Sequence, residues 1–440
     1  MEHASGQSVA IISLGCAKNL VDSERMLALL AEAGYAVAAP LDEADVIVVN
    51  TCGFIAPARD ESLAAIRQAV ALKGTGRAQR VVVAGCLVTR QREALRRAVP
   101  GIDAIVGVDD REQIARAVAG DGPATRLSPC TGRIGGDTPR FRLTPRHTAY
   151  LRIAEGCSQG CTFCTIPAIR GPFRSRPAAQ VLAEAEQLAR DGAIELNVIA
   201  QDTTGYGRDL PGDWTLAKLL RALDAVDGVR WIRLHYAYPR RFDDALIDAM
   251  AGCERVVPYV DLPLQHISDT VLRRMGRGVT RAQTERLLDR LRQRLDAPTI
   301  RTTFIVGFPG ETDAEFAELL DFVRQQRFDE VGAFSYFAED GTPAAEMDGQ
   351  VDAEVIDARA AELIETVDGI ARRRAAARVG QRLDVLVDGV GADGRPFARH
   401  ARQAPEVDSI CLLDGPAEPG TVVPGEVTGA EGANLLCRAR

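Results

Sequence analysis

Cys157, Cys161 and Cys164 stand in the run Glu155-Gly156-Cys157-Ser158-Gln159-Gly160-Cys161-Thr162-Phe163-Cys164. This Cys-x-x-x-Cys-x-x-Cys spacing lets three thiolates on one short loop wrap a face of an iron–sulfur cube, with Gly156 and Gly160 allowing the backbone to come close. A 4Fe-4S cluster ordinarily takes four cysteines. A set of three leaves one iron open to a substrate or cofactor, which is what an enzyme needs and an electron store does not. Structural zinc would require a fourth ligand, and neither a nearby histidine nor a second Cys-x-x-Cys offers one. A disulfide loop would suit a secreted chain. Met1–Ala10 lacks the basic start and apolar core of a signal peptide, and no apolar run approaches the roughly 18 residues of a membrane span. The expected setting is therefore cytoplasmic and reducing, with no membrane.

Three further cysteines share a context. Val9–Leu14 then Asn19–Ala33, Asp45–Asn50 then Pro57–Leu72, and Arg80–Ala84 then Arg90–Val99 alternate short apolar runs with amphipathic stretches, the pattern of an open parallel sheet with helices. Each strand ends at a cysteine beside a glycine: Gly15-Cys16, Cys52-Gly53 and Gly85-Cys86. Ligands of such sheets sit outside the carboxyl ends of the strands, so these thiols should converge despite their separation in sequence. One cysteine at a strand end is ordinarily a small buried hydrophobe. Three at equivalent ends predict a second cluster with its own open iron. Cys130, Cys253, Cys411 and Cys437 have no such company and are assigned to packing or exposure.

Those thiols need elements to position them. Gly120–Arg146, rich in Gly, Pro, Thr and Arg, lacks periodicity and reads as a linker. Beyond it, strands Tyr150–Ala154, Glu195–Ala200, Trp231–His235, Tyr259–Leu262, Ile300–Val306 and Glu330–Tyr336 alternate with helices Ala179–Arg190, Leu216–Val226, Asp243–Met250, Arg281–Leu295 and Asp313–Gln326. This predicts a partial (βα)6 TIM-like barrel whose chemistry gathers at the strand C-terminal ends. Gln201-Asp202, His235-Tyr236, Gln265-His266 and Gly307-Phe308-Pro309-Gly310-Glu311 occupy those ends. Each taken singly is as readily structural; together they line one mouth. After a helix near Ala358–Arg378, the stretches Arg382–Val387, Glu406–Leu413 and Thr421–Val427 read as a small β-barrel. The expected fold class is α/β: an open parallel sheet domain over 7–118, a linker over 119–142, the barrel over 143–375 and the small β-barrel over 376–440.

The chain carries 53 Lys and Arg against 61 Asp and Glu, a formal charge of −8, which opposes non-specific attraction to nucleic acid. From Gln381 onward six arginines face nine acids and there is no lysine, whereas a barrel that grips RNA is normally basic.

The loop at 157–164 resembles the signature of radical S-adenosylmethionine (SAM) enzymes. Its extension Thr165-Ile166-Pro167, with Arg170-Gly171 and Ser175-Arg176-Pro177, resembles the methylthiotransferase branch of that superfamily. The branch has an N-terminal domain with three cluster cysteines, a radical SAM partial barrel and a terminal TRAM barrel. Ser13-Leu14-Gly15-Cys16-Ala17-Lys18-Asn19 with Val21-Asp22-Ser23-Glu24, Asn50-Thr51-Cys52-Gly53-Phe54-Ile55, Gln201-Asp202-Thr203 with Tyr206-Gly207, Asp261–His266 and Arg301–Thr312 are similar to members that act on a small-subunit ribosomal protein. Ala17 stands where many relatives carry proline, a difference of loop stiffness more than chemistry.

The resemblance implies two 4Fe-4S clusters. The one on Cys157, Cys161 and Cys164 would chelate SAM, whose one-electron cleavage yields a 5′-deoxyadenosyl radical. The one on Cys16, Cys52 and Cys86 would carry the sulfur. Gln201, Asp202, Gly307, Gly310 and Glu311 are the candidates for holding SAM, by position and by analogy. The implied reaction adds a methylthio group to the β-carbon of an aspartate in ribosomal protein S12. It would use two SAM, a sulfur source and an electron donor such as flavodoxin or ferredoxin, without stable nucleic-acid binding. A tRNA adenosine methylthiotransferase of the same branch shares the three domains and stays open as the alternative. A non-enzymatic iron–sulfur carrier, which would complete its clusters with four cysteines, is the remaining reading.

Overall fold

A strand such as Val46-Ile47-Val48-Val49-Asn50-Thr51 is apolar on both faces and needs a layer on each side. In the computed structural model, which describes residues 6–133 and 139–439, it lies inside a wholly parallel six-stranded sheet. The strands are β1 (Ser8–Ser13), β2 (Ala36–Val37), β3 (Val46–Thr51), β4 (Arg80–Gly85), β5 (Ala104–Val106) and β6 (Thr125–Arg126), ordered β2-β1-β3-β4-β5-β6. Alternate side chains divide between two cores. Ile47, Val49, Val81 and Val83 pack with Ile66 and Ala69 of α2 (Ala56–Thr75). Val46, Val48, Val82 and Ala84 pack with Met26 and Leu30 of α1 (Ala17–Glu32). In place of the one helix expected over Arg90–Val99 there are two, α3 (Cys86–Gln91) and α4 (Glu93–Ala98), broken at Arg92 with φ +52°. Cys86 is therefore the first residue of a helix. Helix α5 (Ile114–Ala119) completes the layer beside α1.

The stretch expected to be a free linker is tied down on either side of residues 134–138, which lie outside the described residues. β6 joins the sheet edge. The buried Arg140 guanidinium pairs with Glu24 and Glu184, and Leu143 N–H donates to Glu24 Oε1 at 2.8 Å.

The central sheet is also six-stranded and parallel. It comprises β7 (Thr148–Arg152), β10 (Glu195–Ile199), β11 (Trp231–Leu234), β12 (Val256–Gln265), β13 (Thr299–Val306) and β14 (Glu330–Ser335), ordered β14-β13-β12-β11-β10-β7. A short antiparallel ladder of β8 (Ala154–Glu155) and β9 (Arg174–Ser175) flanks the cysteine loop, and α6 (Ile166–Arg170) follows that loop. Leu196, Val198, Ile232, Leu234, Val260 and Leu262 face the surrounding helices. The alternate residues are polar and bonded across the strands: Arg233 to Glu195 at 2.9 Å, His235 to Asn197 at 3.1 Å and Arg301 to Asp261 at 3.1 Å.

β15 (Arg382–Val390), β16 (Pro396–His400), β17 (Cys411–Asp414), β18 (Val422–Glu431) and β19 (Asn434–Ala439) close a small barrel in the order β15-β16-β17-β19-β18. It caps the amino-terminal ends of the central strands, opposite the cysteine loop. Leu386 and Ala404 pack on Trp231, Val257 and Tyr259. Arg399 pairs with Glu195 at 2.7 Å and Asp388 at 2.6 Å, and Tyr259 Oη donates to Asp408 at 2.7 Å. Asp384 binds Arg230, and Glu406 accepts from Tyr150 Oη. Asp384, Asp388, Glu406 and Asp408, four of the acids that make this module acidic, are thus engaged in docking it or in its own ion pairs.

Glu330, at the foot of β14, accepts from Ser409 Oγ at 2.7 Å and Ser409 N–H at 3.3 Å. Burial, together with Asp408, pushes its carboxyl up to about 7. A carboxyl raised in the folded state contributes stability below its unfolded value near 4.3 and loses it as pH climbs through about 7. Gln at this position keeps both acceptor bonds without the charge. Glu330→Gln is expected to be more stable than the unaltered chain at pH 8 by about 2 kcal/mol, with the gap closing toward pH 5. Urea midpoints at the two pH values check this, and a variant no more stable at pH 8 contradicts it.

Candidate functional site

The loop after β8 is held mainly by backbone bonds. Cys157 N–H donates to Gly171 O at 3.1 Å, Thr162 N–H to Met275 O at 3.0 Å, and Ala344 N–H to Thr162 O at 3.0 Å. Gly156 has φ +69°, and a Cβ there would meet Pro172 O at 2.2 Å, so no other residue fits. A Cβ on Gly160 would meet no atom of the chain within 4 Å. Arg277 Nη1 donates to Cys161 Sγ at 3.4 Å while its guanidinium stacks on Tyr238. Burial pushes the Cys157 thiol up to about 11 and that of Cys164 up to about 12.

The second triplet is gathered by one side chain. Asn19, in the first turn of α1, donates through Nδ2 to Leu14 O and to Thr51 O, both at 2.9 Å, and its Oδ1 accepts from Cys86 Sγ at 3.4 Å. It therefore ties the ends of β1, β3 and β4 together and draws Cys16, Cys52 and Cys86 to one place. Gly15 sits in the crowd: a Cβ on it would lie 3.1 Å from Cys52 Sγ. Burial pushes Cys86 up to about 12. Burial also raises Cys16, but Lys18 and Arg170 outweigh it and leave that thiol below its ordinary value.

The segments that carry the two triplets touch. Thr165 Oγ1, one residue past Cys164, donates to Phe54 O, two residues past Cys52, at 3.4 Å, and Ile169 packs on Cys86. Arg170 Nη2 reaches Asn19 Oδ1 at 2.5 Å and Asp22 Oδ2 at 3.0 Å, while Nη1 reaches Glu155 at 3.0 Å. Arg152 bridges Asp22 at 2.6 Å and Glu155 at 2.9 Å, and Arg111 approaches both. Burial raises Glu155, but the guanidiniums of Arg170 and Arg152 outweigh it and hold its carboxyl at about 2. Three buried guanidiniums against two carboxylates leave positive charge beneath the thiols, which suits anionic thiolate ligands.

Among the described residues no three of His, Cys, Asp and Glu lie close enough to share one metal ion. A single tetrahedral zinc draws its thiolates to about 4 Å of one another, whereas a cube spreads them over separate irons.

The residues expected to hold SAM divide into two groups. Gln201 donates through Nε2 to Glu155 at 2.8 Å, and its Oε1 is buried without a partner. Asp202 is already saturated by Gln159 at 2.7 Å, Thr204 at 2.6 Å and Arg241 at 3.2 Å, so it steadies the cysteine loop. Glu311 folds back to accept from Gly307 N–H at 2.9 Å and Phe308 N–H at 3.3 Å and pairs with Arg359, while Gly310 N–H donates to Gly349 O. These four hold the loops in place. Other buried polar atoms without a hydrogen bond are Asn197 Nδ2, Gln265 Oε1, Tyr336 Oη and His266 Nε2, the last facing Glu311 Oε2 at 3.6 Å. Unsatisfied buried polar groups are costly, and the polar groups of a bound SAM would satisfy this set. Gln265 and His266 are visible in sequence as strand-end polar residues. Asn197 and Tyr336 carry no sequence signal, being single residues within or just past a strand.

Comparison with known families matches residues 151–323 to the radical SAM superfamily, 8–107 to uncharacterized protein family UPF0004, and 379–439 to the TRAM domain. The chain is 48% identical over 431 residues to the ribosomal protein uS12 methylthiotransferase RimO of Anaeromyxobacter sp. (strain K), covering 97% of this chain and 92% of that one. It is 46% identical to the protein of the same name from Symbiobacterium thermophilum, covering 98% and 90%. Among solved structures, the radical SAM methyltransferase TsrM of Kitasatospora setae superimposes with a TM-score of 0.57 at 17% identity, covering 86% of this chain and 77% of that one. That last likeness speaks to fold alone.

Proposed function

The chain belongs to the ribosomal protein uS12 methylthiotransferase family of radical SAM enzymes, and from that premise we propose that Cys157, Cys161 and Cys164 hold the 4Fe-4S cluster that binds SAM while Cys16, Cys52 and Cys86 hold a second. When bound, the first supplies the electron that cleaves SAM and the second an open iron for sulfur. The observation that carries this reading is the meeting of the two thiol loops at Thr165 and Phe54 over one buried arginine network.

The chain's own residues then have definable tasks. Gln201, Gln265, His266, Asn197 and Tyr336 orient SAM with buried polar atoms that make no hydrogen bond within the chain. Asp202, Gly307, Gly310 and Glu311 keep the surrounding loops rigid. The N-terminal domain closes the open side of the barrel through Val21 on Tyr150 and Ile199, which excludes water and stray hydrogen donors from the chamber. The working division is an auxiliary-cluster domain over 7–118, a connecting segment over 119–142, the radical SAM core over 143–375 and the TRAM module over 376–440.

The substrate is uS12, modified at the β-carbon of an aspartate, and the reading extends to a cytoplasmic site of action and a small one-electron carrier such as flavodoxin or ferredoxin. Among the described residues no helix is long and apolar enough to cross a membrane. Mass spectrometry of uS12 and of bulk tRNA from cells lacking the chain tests the substrate. Loss of the methylthio group from uS12 with tRNA unchanged is expected. An unmodified tRNA nucleoside with uS12 unaffected would select the tRNA enzyme instead.

A further inference from the structure

We propose that Lys18, oriented by the ring of Tyr236, holds the carboxylate of the substrate aspartate, an inference that rests on the reading of the chain as a uS12 methylthiotransferase. Lys18 is 8% exposed, two residues from Cys16, with Nζ 3.3 Å from the centre of the Tyr236 ring. Lysine is rarely buried without an anionic partner, yet among the described residues no carboxylate pairs with it. Neighbouring cations are all engaged: Arg170 with Asp22 and Glu155, Arg241 with Asp202, Arg277 with Cys161 Sγ and Pro263 O. Lys18 thus brings a positive charge that faces the Cys16 thiol and Tyr236 but no carboxylate.

Tyr236 is held there at some cost. It sits at the end of β11 with φ +56°, a region that bulky residues seldom occupy. Its N–H donates to Asp261 Oδ2 at 3.0 Å, and Asp261 is fixed by Arg301 at 3.1 Å and faces His235 at 3.7 Å. A buried network therefore maintains the strained residue against which Lys18 rests. The amine comes from the domain of Cys16 and the ring that orients it from the barrel mouth, so an anion bound by the free side of the amine lies at the seam of the two domains. Transfer to the β-carbon of an aspartate needs that carbon immobile, and its neighbouring carboxylate, stripped of water, needs a cation. SAM also carries a carboxylate, and the test separates the two.

The test measures the Kd of reconstituted full-length protein for a uS12 loop peptide carrying Asp at the modified position and for the same peptide carrying Asn. The unaltered chain should prefer Asp by about 30-fold, or about 2 kcal/mol at 1.4 kcal/mol per tenfold. Lys18→Met should bring the two peptides within about threefold, Lys18→Arg should restore most of the preference, and SAM affinity should stay unchanged. Because the ratio compares two peptides on one preparation, it survives any change in iron content. An intact preference in Lys18→Met overturns the proposal, as does a loss of SAM affinity with the preference intact, which would assign the amine to SAM. Equal binding of Asp and Asn by the unaltered chain overturns it too. Failure of the unaltered chain to bind or modify uS12 at all would instead defeat the functional reading on which the inference rests.

Discussion

Replacing Cys16, Cys52 and Cys86 together by alanine should leave reductive SAM cleavage running while methylthiolation of uS12 disappears. The two triplets hang from different supports. Asn19 and the ends of β1, β3 and β4 gather one, whereas backbone bonds to Gly171, Met275 and Ala344 hold the other. Removing the first set of thiols leaves every anchor of the second in place, and Arg170 keeps its pairs with Asp22 and Glu155 although it loses its contact with Cys86. Release of 5′-deoxyadenosine should stay within about threefold of the unaltered chain. The methylthio product should fall by about a thousandfold or more, as expected when groups that act as a unit are removed. Chromatography of deoxyadenosine and mass spectrometry of uS12 from one reaction read both quantities. Methylthiolated uS12 surviving in the triple variant would refute the assignment of sulfur delivery to these cysteines.

The converse replacement, Cys157, Cys161 and Cys164 to alanine, should stop deoxyadenosine release as well as methylthiolation. The loop itself should persist, since its bonds are made by backbone groups and by Thr162 Oγ1, which donates to Arg274 O at 2.8 Å. The variant should therefore fold, and its far-UV circular dichroism should match that of the unaltered chain. Arg277 loses a sulfur partner but keeps its stack on Tyr238. Deoxyadenosine formed at more than about a hundredth of the original rate would place SAM cleavage elsewhere.

Much of this site is legible in the sequence because its chemistry is local or follows the topology of parallel sheets. The 155–164 run needs only its own ten residues to declare three thiolates and one open iron. Cys16, Cys52 and Cys86 become a set once three strands are seen to end at them, since such ends lie side by side. Other features have no local signature. Asn19 looks like one more polar residue of α1, and its role appears only when Thr51 and Cys86, 32 and 67 residues away, fold onto it. The three short strands β2, β5 and β6 span too few residues to show a period. Arg92 breaks a continuous helical pattern by adopting a left-handed φ that its side chain does not announce. Composition counts the acids of the terminal barrel but cannot reveal that Asp388 and Asp408 are spent on Arg399 and Tyr259. The apparent linker contains Arg140, whose burial between Glu24 and Glu184 depends on two other segments of the chain.

Buried charge explains why the thiol loops share one rigid frame. Asp22 comes from α1, Glu155 from β8, Arg152 from β7 and Arg170 from α6, so the network stitches the N-terminal domain to the barrel at the thiol sites. Breaking one partner of such a buried set leaves an uncompensated charge and costs about 3–5 kcal/mol.

The most direct measurement is iron and acid-labile sulfide per chain after anaerobic reconstitution. Two incomplete thiol sets, each holding a cube, give about eight of each in the unaltered chain and about four in either triple-alanine variant. About four in the unaltered chain, or about eight persisting after either triplet is removed, would contradict the account.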